Sequence, residues 1–178
     1  MRITGGSLKN LKILPPKNAL RPTTDKVRSA LFSTLGGVEG AVFFDLFAGT
    51  GAVGIEALSR GAKSAAFLDI DASSLEKNLR SLPTDFKYKV IKSDFFQAKK
   101  KLEGYIFDIV YIDPPYGAFP ADKVLIQLKA YLSDNAVIVY EQSSKTAFAA
   151  PTDFSIVKQR VYGDTILRYI RLSNPHSA

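Results

Sequence analysis

From residue 41 the chain alternates short apolar runs with segments whose apolar residues return every three or four positions. Strands are predicted at 41–47, 64–69, 88–91, 106–113 and 136–140. Between them the spacing predicts helices. These are Ala52–Ser59, closed by Arg60-Gly61; a face of Leu75, Leu79 and Leu82 with Asp71 or Ser73 near its cap; 95–102; and a stripe of Val124, Leu125, Leu128 and Leu132. Strict strand–helix alternation implies right-handed βαβ units and a parallel sheet between two helix layers. The last part breaks the rhythm. Two extended runs, 154–161 and Thr165–Leu172, are joined only by Tyr162-Gly163-Asp164, which reads as hairpin chemistry rather than as part of a site. The expected fold class is α/β: a mostly parallel seven-stranded sheet with helices on both faces and a C-terminal antiparallel hairpin.

The first 40 residues have a different texture. Residues 1–20 set short extended pieces between Gly5-Gly6, Asn10 and Pro15-Pro16, the pattern of a small arm or hairpin outside the core. The remainder, 21–178, reads as the single main domain. Thr23 or Thr24 can cap a helix in which Val27, Ala30, Leu31, Thr34 and Leu35 recur until Gly36-Gly37. Lys26 and Arg28 fall off that stripe and are expected to be exposed.

The most informative single stretch is IFDIVYIDPPY, residues 106–116. A run suited to a strand buried on both faces stops at Asp113-Pro114-Pro115-Tyr116. Consecutive prolines donate no backbone hydrogen bond and hold their neighbours extended. The turn therefore presents one carboxylate, adjacent carbonyls and an aromatic ring at the end of a core strand. A second signal follows the strand at 41–47, where Gly49, Gly51 and Gly54 spell G-x-G-x-x-G before a helix and Asp69 ends the next strand. This pattern suits a nucleoside cofactor, a dinucleotide included. Asp45, just before the loop, would oppose a pyrophosphate and favour the cationic S-adenosylmethionine. Asp94, with Phe95, ends the third strand. The acids Asp45, Asp69, Asp94 and Asp113 thus end successive strands on the edge where open α/β sheets bind ligands. Any one of them can be read as a helix cap, Asp94 equally as a cap or a ligand, but four coincidental caps are a poorer account than one site. The candidate cofactor set is Asp45, Phe47, Ala48, Gly49, Thr50, Gly51, Asp69, Ile70, Asp94 and Phe95.

Composition narrows the chemistry. The 178 residues contain no Cys, and the one His, His176, lies near the end of the sequence. Thiolate and His-centred catalysis or zinc binding are unexpected, and no metal is called for. The net charge of +7 is concentrated early: Arg2, Lys9, Lys12, Lys17, Arg21, Lys26 and Arg28 stand against only Asp25 and Glu39 in the first 40 residues. A basic arm suggests a polyanionic partner. There is no apolar run of about 18 residues and no apolar signal segment, so a cytoplasmic, non-membrane protein is expected.

DLFAGTG, FLDID, SDFF and DPPY, in this order, resemble the successive motifs of Rossmann-like S-adenosylmethionine methyltransferases, with DPPY marking those that act on exocyclic amines. RITGG (2–6), LRPTTDKVRSALF (20–32), DLFAGTGAVGIEALSRGA (45–62), FDIVYIDPPY (107–116) and VYGDT (161–165) are similar, more closely, to the RsmD-type family of 16S ribosomal RNA guanine-N2 methyltransferases. Asp69 stands where that family usually has Glu, and Ser7, Lys9 and Asn10 where it tends to have Arg. The resemblance implies a Rossmann-like methyltransferase fold with a small N-terminal extension, S-adenosylmethionine as cofactor, and 16S rRNA or a small-subunit particle as partner; a monomer is the separate expectation. It implies that Asp113 and the Pro114 carbonyl accept the guanine amino hydrogens, Pro115 stiffens the turn and Tyr116 stacks on the base. Arg21 and Thr23 would lie near the cofactor mouth, and with Arg2, Lys9, Lys12, Lys26 and Arg28 form the RNA-binding set. The alternatives are methylation of adenine N6 or of a protein glutamine, a nucleotide-dependent oxidoreductase, and a non-catalytic RNA-binding module.

Overall fold

The computed structural model describes residues 1–15, 24–115 and 119–173. Arg21, Thr23 and Tyr116 of the expected site lie outside them. Seven strands form one sheet: β1 (Val42–Leu46), β2 (Ser64–Asp69), β3 (Tyr88–Lys92), β4 (Phe107–Ile112), β5 (Leu132–Ser143), β6 (Phe154–Tyr162) and β7 (Thr165–Leu172). Their spatial order is β3-β2-β1-β4-β5-β7-β6. Pairings are parallel from β3 to β5, and β7 runs antiparallel to both β5 and β6. The order reverses between β1 and β4, which makes the carboxyl ends of those two strands the topological switch point.

Among the described residues four α-helices accompany the sheet: α1 (Asp25–Leu35), α2 (Ala52–Ser59), α3 (Ser73–Leu79) and α4 (Ala121–Leu128). Successive residues of β1 point to opposite faces, and both faces are dry. Phe43 packs with Leu31, Ile55, Leu58 and Phe67 on one side. Phe44 packs with Leu102, Phe107, Val110 and Leu125 on the other, stacking on Phe107 with ring centroids 4.3 Å apart. Asp108, the one acid inside the β4 run, accepts a hydrogen bond from the Val42 N–H at 2.9 Å and so helps seat the start of β1.

Two segments differ from the periodicity. Residues 95–102 form two 3₁₀ turns, Phe95–Gln97 and Lys99–Lys101, in place of an α-helix. The buried residues Phe95 and Ala98 lie three apart, the 3₁₀ spacing, and Asp94 Oδ1 caps the first turn through the Phe96 N–H at 2.8 Å. The helix expected to run on through Leu132 stops at Leu128. A 3₁₀ turn follows, and β5 begins at Leu132 with a register shift against β4 before regular pairing from Val137. Asp134 and Asn135 are exposed in that shift.

The N-terminal segment is a hairpin, with Arg2 bridged to Lys12, but it is not peripheral. Ile3 and Ile13 are fully buried in the core. The hairpin presses on the end of α2: Ser7 N–H donates to the Ser59 carbonyl at 2.7 Å, and a Cβ on Gly6, whose φ is +80°, would lie 1.9 Å from that carbonyl oxygen. Only glycine permits this approach. The same junction corrects the expectation for Arg28, which is buried rather than exposed and is not available to RNA. Its Nε donates to Glu56 Oε2 at 2.6 Å and its Nη2 pairs with Asp25 at 2.9 Å, while it also donates to the Arg2 carbonyl. Glu56 is equally buried. It accepts in addition from Arg60 Nη2 at 2.7 Å, from the Thr4 N–H at 3.2 Å and from the Thr4 hydroxyl.

A buried charge that loses its partner is expensive, by about 3–5 kcal/mol. Arg28→Met should lower the free energy of urea unfolding by that amount, whereas Lys26→Met, two residues earlier on the exposed face, should change it by less than about 0.5 kcal/mol. Equal effects of the two substitutions would contradict the burial of Arg28.

Candidate active site

At the carboxyl edge of the sheet lies a cleft of about 940 Å³. Its walls come from three parts of the chain: the turns after β1 to β5, the first turn of α1, and the β6–β7 turn.

The β1 turn supplies Phe47 and Gly49. Phe47 has φ +66°, an unusual value for an aromatic residue, and is held by its N–H donating to the Leu68 carbonyl at 2.9 Å. That conformation turns its ring onto Phe119, stacked at 5.3 Å, and edge-on to Phe95 at 6.5 Å, giving the cleft an aromatic wall. Around Gly49 the backbone opens on space, since a Cβ there would meet nothing within 4 Å. Its N–H donates to Asp69 Oδ2 at 2.7 Å, and the Asp71 N–H donates to Asp69 Oδ1 at 3.0 Å. Asp69 is thus oriented by both oxygens, each with acceptor capacity left for a ligand. Ile70, Asp94 and Phe95 complete this end, Ile70 being strongly exposed. Asp94 both caps its 3₁₀ turn and lines the cleft.

The other end holds Asp113, Pro114 and Pro115. The Asp113 charge is felt by Tyr140, whose hydroxyl is pushed up to about 12 chiefly by burial, then by Asp113, with Arg168 acting in the opposite sense. Thr24, Lys26 and Val27 at the start of α1 also line the cleft, and Thr24 Oγ1 caps the helix through the Val27 N–H at 3.3 Å.

The remaining residues of the expected cofactor set do not reach the cleft. Ala48, Thr50 and Gly51 are buried and shape the loop from behind, the Thr50 carbonyl accepting from Asn78 Nδ2 at 3.0 Å. Asp45, expected to face a cationic ligand, lies beneath the loop at 1% exposure and accepts from the Gly54 N–H at 2.8 Å. Gly54 itself packs so tightly that a Cβ would sit 2.3 Å from Phe67, which draws α2 down over Asp45. Arg2, Lys9 and Lys12 are exposed on the hairpin, away from the cleft lining, and Arg2 Nη1 donates to the Asn10 carbonyl at 3.1 Å.

Sequence reasoning missed several contributors, four of which bear on the chemistry. Glu141, at the end of β5, is buried, lines the cleft and accepts from the Tyr111 hydroxyl. Its signal was available: VIVYE is one more strand ending in an acid. Tyr162 and Gly163 form the hairpin turn as read, and they also line the cleft. Phe119 had no signal beyond its aromaticity. Among the described residues no cluster of three or more metal-binding side chains occurs, and no helix is long and apolar enough to cross a membrane.

A sheet in this order, reversing at β1 and β4 with an acid-lined turn on either side, is the Rossmann-like fold of methyltransferases. The model of the family described as conserved hypothetical protein 95 matches residues 1–171. The ribosomal RNA small subunit methyltransferase D of Escherichia coli K12 is 35% identical over 178 residues, covering 94% of this chain and 88% of that protein. The chain belongs to this family. Among solved structures, yhhF from Escherichia coli superposes with a TM-score of 0.82 at 31% identity, covering 98% of this chain and 99% of that one. HI0767 from Haemophilus influenzae gives 0.78 at 29%, covering 97% and 98%.

The position of Asp45 has a measurable consequence. Burial raises its carboxyl from 3.8 to about 7; the Gly54 hydrogen bond opposes the rise and Asp69 adds to it. The folded protein retains a proton that the unfolded chain releases above about pH 4, so this group lowers stability as pH climbs from about 4 to about 7 and no further above that. Asp45→Asn keeps an acceptor for Gly54 and carries no charge. Thermal unfolding between about pH 4 and about pH 8 should show that the substitution flattens this part of the profile.

Proposed function

We propose that the protein transfers a methyl group from S-adenosylmethionine to the exocyclic N2 amine of a guanine in small-subunit ribosomal RNA. The observation that carries this reading is the sharing of one cleft by two dissimilar ends. Asp69, Gly49 and the Phe47–Phe95–Phe119 wall suit an adenosine, and Asp113 with Pro114 suits an amine. The names of the relatives support ribosomal RNA as the substrate class.

The residues present fit the cofactor. The open space at Gly49 admits a ligand against backbone, the Asp69 oxygens accept from ribose hydroxyls, and Asp94 accepts from an adenine amino group beside the aromatic wall. When bound, S-adenosylmethionine would supply a methyl group whose carbon–sulfur bonding pair leaves with sulfur; the acceptor nitrogen, positive once its new bond has formed, then passes one proton to the Asp113 carboxylate that holds it and so to solvent. The protein's task is to hold the amine in line. A guanine N2 lone pair is delocalised into the ring and is a poor nucleophile. Asp113 and the Pro114 carbonyl accept its two hydrogens, favour tetrahedral nitrogen and stabilise the positive charge that develops there. Pro115 keeps the turn stiff, and Tyr116 stacks on the flipped base. Lys26 at the cleft, with Arg2, Lys9 and Lys12 on the hairpin, binds phosphates along the approaching RNA.

Asp113→Ala should reduce transfer of labelled methyl to unmodified small-subunit particles by at least about 100-fold while leaving the thermal shift given by S-adenosylhomocysteine intact. Retained activity would remove Asp113 from the chemistry. Lys26→Ala should weaken RNA binding and make the slope of log K against log salt shallower by about one, the value for one lost phosphate contact. An unchanged slope would remove Lys26 from the RNA contact.

A further inference from the structure

The parallel register of β4 and β5 pairs Val110 with Ile138, Tyr111 with Val139 and Ile112 with Tyr140. Carried one residue further, it sets Asp113 beside Glu141 at the edge of the sheet. Neighbouring strands lie about 4.8 Å apart, and residues paired across them point to the same face. Both side chains line the cleft. The amine-holding turn is therefore flanked by a second carboxylate that the chemistry described above does not use.

Glu141 is built in rather than incidental. It is only 8% exposed, and the Tyr111 hydroxyl, from the strand beside it, donates to Oε2. Burying a carboxylate is costly unless it is hydrogen-bonded. The Tyr111 hydroxyl is one donor to a group that offers about four acceptor sites. Two acceptors side by side call for a ligand with adjacent donors. The three amine substrates open to this class of turn differ in what lies next to the amine. In guanine the neighbour of N2 is N1, which carries hydrogen. In adenine the neighbour of N6 is N1 as well, but there it holds a lone pair. In a glutamine side chain the neighbour is the carbonyl oxygen. Only guanine offers a donor to the second carboxylate, and the other two set a lone pair against it.

We propose that Glu141 is the residue that makes the cleft select guanine, accepting the N1–H of the base whose N2 amine is held by Asp113. This rests on the reading of the protein as an RNA amine methyltransferase. Tyr111 is the positioning residue that orients Glu141.

The test replaces the target guanine by 2-aminopurine, which keeps the 2-amino group and leaves a lone pair on N1, in small-subunit particles assembled on ligated RNA. The wild-type protein should favour guanine over 2-aminopurine in kcat/KM by about 10- to 100-fold, the range for a directly read base. In Glu141→Gln the amide can donate to N1, and the preference should fall by about 10-fold or more, with the S-adenosylhomocysteine thermal shift retained. Tyr111→Phe keeps both carboxylates but loosens Glu141. It should also lower the preference without changing KM for S-adenosylmethionine, and it serves where Glu141→Gln does not fold. Equal wild-type transfer to both bases, or a preference unchanged in the variants, overturns the role of Glu141 alone. Absence of wild-type transfer to any guanine overturns the underlying reading and the proposal with it.

Discussion

The buried carboxylate of Glu56 is the constraint on which the arrangement of the cleft depends. A fully buried acid in the middle of α2 has to be surrounded by donors, because each unmet acceptor costs the full penalty of desolvation. The donors come from three separate pieces of chain: Thr4 on the hairpin, Arg28 on α1 and Arg60 one turn along α2. Arg28 is held in turn through Nη2, which donates to Asp25 Oδ1 and to the Arg2 carbonyl. An ion pair of this kind is weak evidence for stability, because an apolar replacement of the whole cluster would do as well. What it fixes is placement. α1 makes few other commitments near its start, yet Thr24, Lys26 and Val27 from its first turn form one wall of the cleft. The functional edge of the sheet is thus held from behind by charges that never touch it.

This explains which parts of the molecule were legible in the sequence. The strand–helix alternation, the hairpin at the end and the glycine turn after β1 all follow from local periodicity and turn chemistry, and the structure has them where the pattern put them. Arg28 was misread because a helical stripe counts apolar positions only. Nothing near Arg28 in sequence announces that Glu56, 28 residues later, needs a donor. The 3₁₀ turns over 95–101 were misread for a related reason: a short segment with buried residues at 95, 98 and 102 satisfies both helical spacings. The late start of regular pairing in β5 depends on a register shift against β4, a property of two strands together.

The acids at the strand ends teach a narrower lesson. Cap and site were weighed as alternatives, and they are not. Asp94 caps a turn and lines the cleft, and Asp69 clamps the glycine loop with both oxygens while facing the same space. A carboxylate has enough acceptor sites to do both, and the structural bond is what aims it. Asp45 is the converse case. Its position before the loop looked functional, but Gly54 draws α2 down upon it, and burial shifts it towards the neutral form. What the structure shows of it is burial and a hydrogen bond from the Gly54 N–H.

The order of the sheet then decides what the Asp-Pro-Pro turn can do. β4 sits between β1, which carries the glycine turn, and β5, which carries Glu141. Asp113 consequently has a cofactor-shaped surface on one side and a second acceptor on the other, at spacings set by the sheet and not by flexible loops. The prolines remove backbone donors from that corner and leave it lined by acceptors. On the proposed reading, such a corner suits a substrate whose amino hydrogens must be held while charge develops on nitrogen. The chemistry at this edge is therefore a matter of where acceptors are fixed, and the strand register fixes them.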